Sequence, residues 1–176
     1  MKRSTFWITI IIVAVVLGIA IAKFNGLSRF DEKRELAWTP LENVLKARYD
    51  LVPKLLNVVI LYSGKEDPET KKIAGLRKQY GETRAFPEIV VAADSLETAI
   101  TDMFIQISQR YPGISSSYEY VALQNGFNQS ASAMQPLVDG YNLVVDQYNT
   151  YAREFPNNIV TKLFGFETRA PYFKRQ

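Results

Sequence analysis

Residues 123–155 read LQNGFNQSASAMQPLVDGYNLVVDQYNTYAREF. The larger side chains of this stretch recur every four or three residues over more than four heptads, and one small polar residue falls into the series. This spacing predicts a long helix with one buried face. The positions predicted to be buried are Leu123, Phe127, Ser130, Met134, Leu137, Tyr141, Val144, Tyr148, Tyr151 and Phe155.

Two upstream segments carry the same spacing. The first spans about residues 30–63 and the second about residues 67–110, with a kink or break expected in the second near Phe86-Pro87. A short amphipathic piece, residues 159–164, ends the helical part. The sequence therefore predicts an all-α fold, an antiparallel bundle of three long helices plus a short C-terminal helix. The apolar positions of the first two segments are Trp38, Leu41, Leu45, Val52, Leu55, Val59 and Tyr62, then Ile89, Ala93, Leu96, Ile100, Met103 and Ile107.

Polar residues and prolines predict where these helices begin and bend. Asp67 before Pro68 is expected to cap the second segment. Ser116 and Glu119 have the spacing of a capping box for the third. Each long segment also holds an internal proline that is expected to kink its helix: Pro53, Pro87 and Pro136.

The N-terminal stretch is apolar and long enough to cross a membrane. Residues 6–24 number 19, and Thr9 and Lys23 are their only polar side chains. As a helix they span roughly 28 Å, about the thickness of a hydrocarbon core. A cleaved signal peptide is the alternative, but the apolar run is long and residues 19–23 make a poor cleavage site. We expect a short basic N-terminus at 1–5, an uncleaved transmembrane helix at 6–24 and a bundle domain at 25–176.

The charges next to this helix leave its orientation open. A short basic N-terminus usually stays in the cytoplasm, and Lys2 with Arg3 therefore favours a bundle outside it. More basic residues follow the apolar run than precede it, which opposes this orientation. The residues that follow it are Lys23, Arg29, Lys33 and Arg34.

Composition excludes several classes of function. Cysteine and histidine are absent, which excludes a disulfide framework, a zinc finger, haem bound by histidine and a Ser-His-Asp triad. Beyond Lys23 the chain has 18 basic and 18 acidic residues, so a nucleic-acid partner is not expected. The charge is nevertheless divided: net +3 for 24–84, −6 for 85–152 and +3 for 153–176.

An ordered series of motifs resembles the LemA family over nearly the whole chain. Residues 48–56, RYDLVPKLL, are similar to the family's Arg-x-Asp-Leu-Ile-Pro-Asn-Leu-Val motif. The later motifs follow in the family's order and at about its spacings: Tyr111-Pro112, Leu123-Gln124, Tyr141-Asn142, Tyr148-Asn149, Phe155-Pro156 and Phe164-Gly165-Phe166.

The resemblance implies a bacterial membrane protein with a helical-bundle domain, no cofactor and no established catalytic residues. It places the chain in the bacterial cytoplasmic membrane or an internal membrane derived from it. One branch of the family is thought to help build the magnetosome compartment. The sequence departs from the family in residues 130–140, which carry neither the glutamate nor the arginine usual there. A polar network typical of the family is therefore expected to be missing.

Three groups of polar residues are candidates for chemistry. Arg48 fills a gap in an apolar series, either as a buried ion-pair residue or with its head reaching out to water, and a structural role is favoured. Asp50 is too close to Arg48 in sequence to share its helix face. Asp94 and Glu97 lie one turn apart and could form an acid pair, but a solvated acidic face is favoured.

The third group combines a Tyr-Asn repeat with an aromatic tail. Tyr141-Asn142 and Tyr148-Asn149 are seven residues apart, which favours tyrosines in the core and asparagines that hydrogen-bond across helices. A ligand site is the alternative. The tail either covers the bundle end, docks a partner or touches lipid headgroups. Its residues are Phe164, Gly165, Phe166, Arg169, Pro171, Tyr172, Phe173, Lys174 and Arg175.

These observations favour a non-enzymatic, membrane-anchored helical scaffold that organises a bacterial membrane assembly and self-associates. No residue is assigned a catalytic, cofactor-binding or metal-binding role, and no cofactor is expected. The expected partners are the lipid bilayer and a second copy or another membrane protein. A carboxylate-using membrane enzyme, or an accessory subunit of one, is one alternative. A direct membrane-remodelling module is another.

Overall fold

The computed structural model describes residues 2–174, and all regular structure in that range is helical. The all-α fold and the apolar N-terminal helix are therefore confirmed. The helices are α1 Lys2–Tyr49, α2 Val52–Ser63, α3 Pro68–Glu82, α4 Phe86–Arg110, α5 Tyr118–Arg153 and α6 Asn157–Phe164, with a 3₁₀ turn at Ile114–Ser116.

Two of the three predicted kinks are helix breaks. Pro53 and Pro87 each lie in the first turn of a new helix, α2 and α4. An amide N–H has no partner within the helix at that position, so proline's missing donor costs nothing there. Pro136 lies inside α5, as predicted, and Pro40 lies inside α1.

The second predicted segment is two helices, because residues 83–85 interrupt it. Asp67 caps α3 as expected, in a reciprocal capping box with Thr70. The additional helix reverses the chain once more, so α4 runs in the same direction as α1. Trp38 contacts Phe86 near the start of α4, whereas Arg48 reaches Glu97 about three turns later.

The start of α5 differs from the prediction by one residue. Ser117 caps this helix by accepting a hydrogen bond from the Tyr120 amide at 3.3 Å, so the predicted capping box of Ser116 and Glu119 is wrong. The reason is the preceding 3₁₀ turn. The Ser117 amide donates to the Ile114 carbonyl at 2.8 Å, which keeps Ser116 inside that turn.

The chain divides into two compact units, to which α1 and α5 both contribute. The first unit consists of Met1–Glu35 and Leu143–Ala170, and the second of Leu36–Asn142 and Pro171–Gln176. In the second unit most positions predicted for the core are buried, but Ile89, Leu123, Ser130 and Leu137 are half-buried and Tyr62 is 53% exposed. The buried members include Leu45, Val52, Leu55, Ile100, Met103, Phe127 and Tyr141.

One of the two predicted rows of α5 is displaced by one residue, whereas Phe127, Met134, Tyr141 and Tyr148 of the other row are buried as predicted. Val138, Val145 and Ala152 are buried, whereas the predicted Leu137, Val144 and Tyr151 are half-buried and Phe155 is 80% exposed. Residues three and four positions apart both lie on one face of a helix, so the prediction could place the second row either three or four residues after 134, 141 and 148. The structure buries the residue four positions later.

Gly26 allows close packing within the first unit. It lies inside α1, which continues through it without a break. A Cβ atom at this position would lie 2.2 Å from the Tyr151 hydroxyl oxygen. Phe30 also packs on Tyr151, with ring centroids 5.1 Å apart. The absence of a side chain at residue 26 therefore leaves the space that Tyr151 occupies beside α1.

Gly26→Ala is expected to be less stable than the matched variant Gly140→Ala by about 1–3 kcal/mol. Gly140 is also helical, and a Cβ atom there meets nothing within 4 Å. Alanine should therefore stabilise α5 at residue 140 by about 0.5–1 kcal/mol. At residue 26 the same gain is offset because Tyr151 must move. Chemical unfolding of the full-length chain in detergent micelles measures both variants, and equal stabilisation would contradict the packing argument.

Candidate functional site

A buried ion pair lies in the core of the second unit. Arg48, in the last turn of α1, donates through Nε to both carboxylate oxygens of Glu97, in α4, at 2.9 and 3.1 Å. Arg48 is 7% exposed and Glu97 1% exposed. Of the two alternatives for Arg48, the structure contains the buried ion pair, and the favoured one, a head that reaches out to water, is wrong.

Arg48 also ties α5 to this pair. Its Nη1 donates to the Phe127 backbone carbonyl and to Ser130 Oγ, the latter at 2.7 Å. Its guanidinium carbon lies 4.9 Å from the centre of the Phe127 ring. One side chain therefore connects three helices. The described residues do contain a buried polar network, with its acid supplied by α4 and a serine at residue 130 of α5.

Burial dominates the electrostatics of this cluster. Desolvation raises the pKa of Glu97 above its ordinary value, although the charge and hydrogen bonds of Arg48 act in the opposite direction. Burial also raises the pKa of Tyr49 well above its ordinary value, and the negative charge of Glu97 adds to the effect. The Tyr49 hydroxyl donates to the Ala93 carbonyl at 3.2 Å. The cluster is thus held in a dry environment.

A groove of about 300 Å³ opens above the ion pair, between α4, α5 and the C-terminal tail. Its lining combines apolar side chains with side-chain amides, and Glu97 is the only acidic residue among them. A second carboxylate for acid–base catalysis is therefore not present in the lining. The arrangement suits binding. Representative lining residues are Phe104, Gln124, Asn128, Met134, Gln135 and Phe173.

The favoured prediction of a solvated acidic face is wrong for Glu97, which is 1% exposed, and the alternative acid pair is not observed either, because Asp94 and Glu97 each bind a cation of their own. Asp94 binds Lys174 of the tail, with Oδ2 2.9 Å from Nζ and Oδ1 accepting from the backbone amide at 3.0 Å. Glu97 is buried against Arg48. Asp50 is not expected to share a helix face with Arg48. It pairs instead with Arg77 of α3, whose Nη2 lies 3.3 Å from Asp50 Oδ1.

The Tyr-Asn repeat binds the C-terminal tail. In the second unit the Tyr141 hydroxyl donates to the Pro171 carbonyl at 3.0 Å. The Asn142 side chain donates to the Phe173 carbonyl at 2.8 Å and accepts from its amide at 3.0 Å. Asn142 thus satisfies both backbone groups of Phe173.

The same arrangement recurs in the first unit. Asn149 donates to the Ala170 carbonyl at 3.1 Å and accepts from the Ala170 amide at 2.7 Å. Tyr148 donates to the Glu167 carbonyl at 2.5 Å, and the Glu167 carboxylate lies 2.6 Å from Arg34. The buried tyrosines are confirmed. The asparagines bind the tail backbone, so the prediction that they bond across helices is wrong.

Of the three alternatives for the tail, packing on the helices is observed, but the tail runs along α5, at Tyr141, Asn142 and Asn149, and not at a helix end. Phe173 is 1% exposed and lies against Trp38, with ring centroids 5.8 Å apart. Tyr172 remains 37% exposed. Arg175 lies outside the described residues. Lys174, by contrast, is bound to Asp94.

Comparison with known proteins agrees with the motif series. The model of the LemA family matches residues 37–176, which is most of the chain and includes both residues of the ion pair. The matched range begins after the apolar N-terminal stretch. No curated protein matches the chain.

Proposed function

The chain belongs to the LemA family, and from that premise we propose that it is a membrane-anchored helical organiser that works by association. In this proposal residues 6–24 cross the bacterial cytoplasmic membrane, or an internal membrane derived from it, once and without cleavage. The bundle lies outside the cytoplasm, as the short basic N-terminus favours. The chain has no catalytic role.

The observation that carries the proposal is the exposure of the apolar part of α1. Every side chain from residue 3 to residue 19 is exposed, and most of them are large and apolar. An uninterrupted apolar helix surface of this length is unstable in water and matches a bilayer. A buried core helix of the same composition would be covered by protein. The apolar part of α1 has no such cover among the described residues, and a bilayer is the simplest one.

The groove supports binding over catalysis. Its one carboxylate is already bound to Arg48, so a general acid or base would have to leave an ion pair before reacting. Among the described residues there is also no group of three or more potential metal-binding side chains. These features support a scaffold over the alternative of a carboxylate-using enzyme.

The divided charge supports association between copies, although part of it is neutralised within one chain. Asp94 and Glu97 are bound to Lys174 and Arg48 and are not free for a partner. Asp102 and Glu119 are exposed members of the acidic region. Contacts between this region and the basic surface of a second copy would set orientation, and confinement to a membrane would raise their effective concentration.

Reversing these charges is expected to weaken self-association. Asp102→Lys combined with Glu119→Lys should lower the crosslinked dimer fraction in proteoliposomes about threefold to tenfold at low salt, with the difference fading as salt rises. The double variant Glu66→Lys and Glu82→Lys is the matched control, because both residues are exposed in the basic region. Crosslinking at several protein-to-lipid ratios gives the measurement.

Wild-type protein that stays monomeric at every salt concentration and loading density would overturn the self-association proposal. The protein would then act as a monomeric adaptor for a different membrane protein. An equal loss of dimer in the acidic and control variants would contradict the charge argument alone.

A further inference from the structure

The first unit contains an apolar surface that the described residues leave largely exposed. It consists of Phe155 and of Ile159, Leu163 and Phe164 in α6, which are 80%, 55%, 73% and 52% exposed. Ile159 and Leu163 are four residues apart and therefore lie on one helix face. The opposite face of α6 is buried and contains Asn157, Val160 and Thr161. We call the exposed set the α6 face.

The α6 face lies at the end of the apolar part of α1. The Phe24 ring, which closes residues 6–24, has its centre 5.2 Å from the ring centres of both Phe164 and Phe166. All three residues belong to the first unit. A bilayer that surrounds residues 6–24 therefore reaches its polar boundary at the level of Phe164.

The C-terminal end of α5 approaches the level of Phe24 along α1. Arg34 of α1 lies over the Tyr148 ring at 4.1 Å, and one turn later Tyr151 packs on Phe30. Each step along α5 towards its C-terminus is thus a step back along α1 towards Phe24. Phe155 follows two residues after α5 ends at Arg153.

From this position we infer that the α6 face is embedded in the lipid interface of the membrane that residues 6–24 cross. The inference rests on the proposed membrane anchoring. Lys23 and Lys162 accompany the apolar side chains, with Lys23 5.5 Å from the centre of the Tyr151 ring. Apolar residues beside lysines are the composition of helices that lie between acyl chains and headgroups. The acidic Glu154 is exposed next to Phe155, and the inference requires its carboxylate to stay in water.

Interfacial embedding would give the first unit a second attachment to the membrane. A single transmembrane helix can tilt in the bilayer. With α6 bound beside it, a tilt that lifts this side of the unit from the membrane would require four large apolar side chains to leave the interface. The α6 face would therefore restrict the tilt of the first unit.

Single-cysteine variants of the full-length chain test this placement, because the wild-type sequence has no cysteine. Leu163→Cys carries an environment-sensitive NBD fluorophore in vesicles of phosphatidylcholine with anionic phosphatidylglycerol. Leu143→Cys is the matched control, an exposed leucine of the same unit that lies ten residues, about 15 Å, before the end of α5. Val15→Cys marks the membrane core. Nitroxide groups on the lipid acyl chains quench fluorophores that contact lipid.

We expect the label at residue 163 to emit at shorter wavelength than the label at 143 and to be quenched at least about threefold more. Equal, water-like behaviour at 163 and 143, with strong quenching at 15, would overturn the inference and leave the anchor intact. A shielded label at 163 without quenching by lipid would also overturn it, because a protein would then cover the α6 face. A water-like label at 15 would instead refute the membrane anchor.

Discussion

Arg48→Met is expected to destabilise the protein by about 3–5 kcal/mol at neutral pH. Methionine keeps much of the side-chain volume but removes the cation that faces Glu97, which is 1% exposed. It also removes the donor to the Phe127 carbonyl and Ser130. A buried carboxylate without a partner is costly, and the three helices lose their shared contact. Urea unfolding of the full-length chain in detergent micelles, followed by far-UV circular dichroism, measures the loss.

The loss should depend on pH in a defined direction. Burial already raises the pKa of Glu97 in the wild type, and removal of Arg48 takes away the main opposing influence. The native variant then binds a proton more tightly than the unfolded chain does, so its stability is greatest at low pH and falls as pH rises through the native pKa. Arg48→Met should therefore be closer to wild type at pH 5 than at pH 8, as expected for a carboxyl group whose pKa is raised by burial.

Two comparison variants separate the ion pair from a general effect of losing an arginine. Arg110→Met removes an arginine that is 53% exposed and 3.9 Å from Glu69, and it should cost no more than about 1 kcal/mol. Arg48→Met combined with Glu97→Leu removes both buried charges and should recover much of the stability without the slope in pH. A double variant as unstable as Arg48→Met would contradict the argument.

The burial of Glu97 shows what helix periodicity could and could not predict. Glu97 lies four residues after Ala93 and three before Ile100, which is the spacing of the buried face of α4. Helix spacing therefore indicated a buried position for Glu97, and the preference of carboxylates for water outweighed that indication. The identity of its partner could not be predicted from spacing, because Arg48 is 49 residues away and lies on α1. Pairing of α1 with α4 depends on the break at residues 83–85, whose effect on chain direction the sequence does not specify.

The contacts of the C-terminal tail could also be predicted only in part. The repeat of Tyr141-Asn142 and Tyr148-Asn149 identified the right residues and the right burial of the tyrosines. An asparagine satisfies a backbone amide and carbonyl of an extended segment as well as it bonds to another helix. Spacing alone does not distinguish these partners, and here the partners lie 21 and 31 residues further along the chain.

Asn149→Ala is expected to cost about 2–4 kcal/mol and to release the tail in the first unit. Asn149 is 2% exposed, and its side chain is the partner of both the amide and the carbonyl of Ala170, which is 1% exposed. Alanine would leave these two backbone groups buried without those partners, so the tail should open to water more often. Trypsin cleavage after Arg169, followed by mass spectrometry of the full-length chain in detergent micelles, reports the opening directly.

Graded variants make this expectation specific to the two hydrogen bonds. Asn149→Asp keeps an acceptor for the Ala170 amide but turns a buried carboxylate oxygen towards the Ala170 carbonyl, so at neutral pH its cleavage rate should be at least that of Asn149→Ala. Asn142→Ala should have a smaller effect on stability, because Asn142 is only half-buried and water can replace its bonds to Phe173. Asn125→Ala, at an exposed position of the same helix, should match wild type. If cleavage after Arg169 is equally fast in the Asn125 and Asn149 variants, the tail is not held by Asn149, and the Tyr148 and Arg34 contacts to Glu167 must hold it instead.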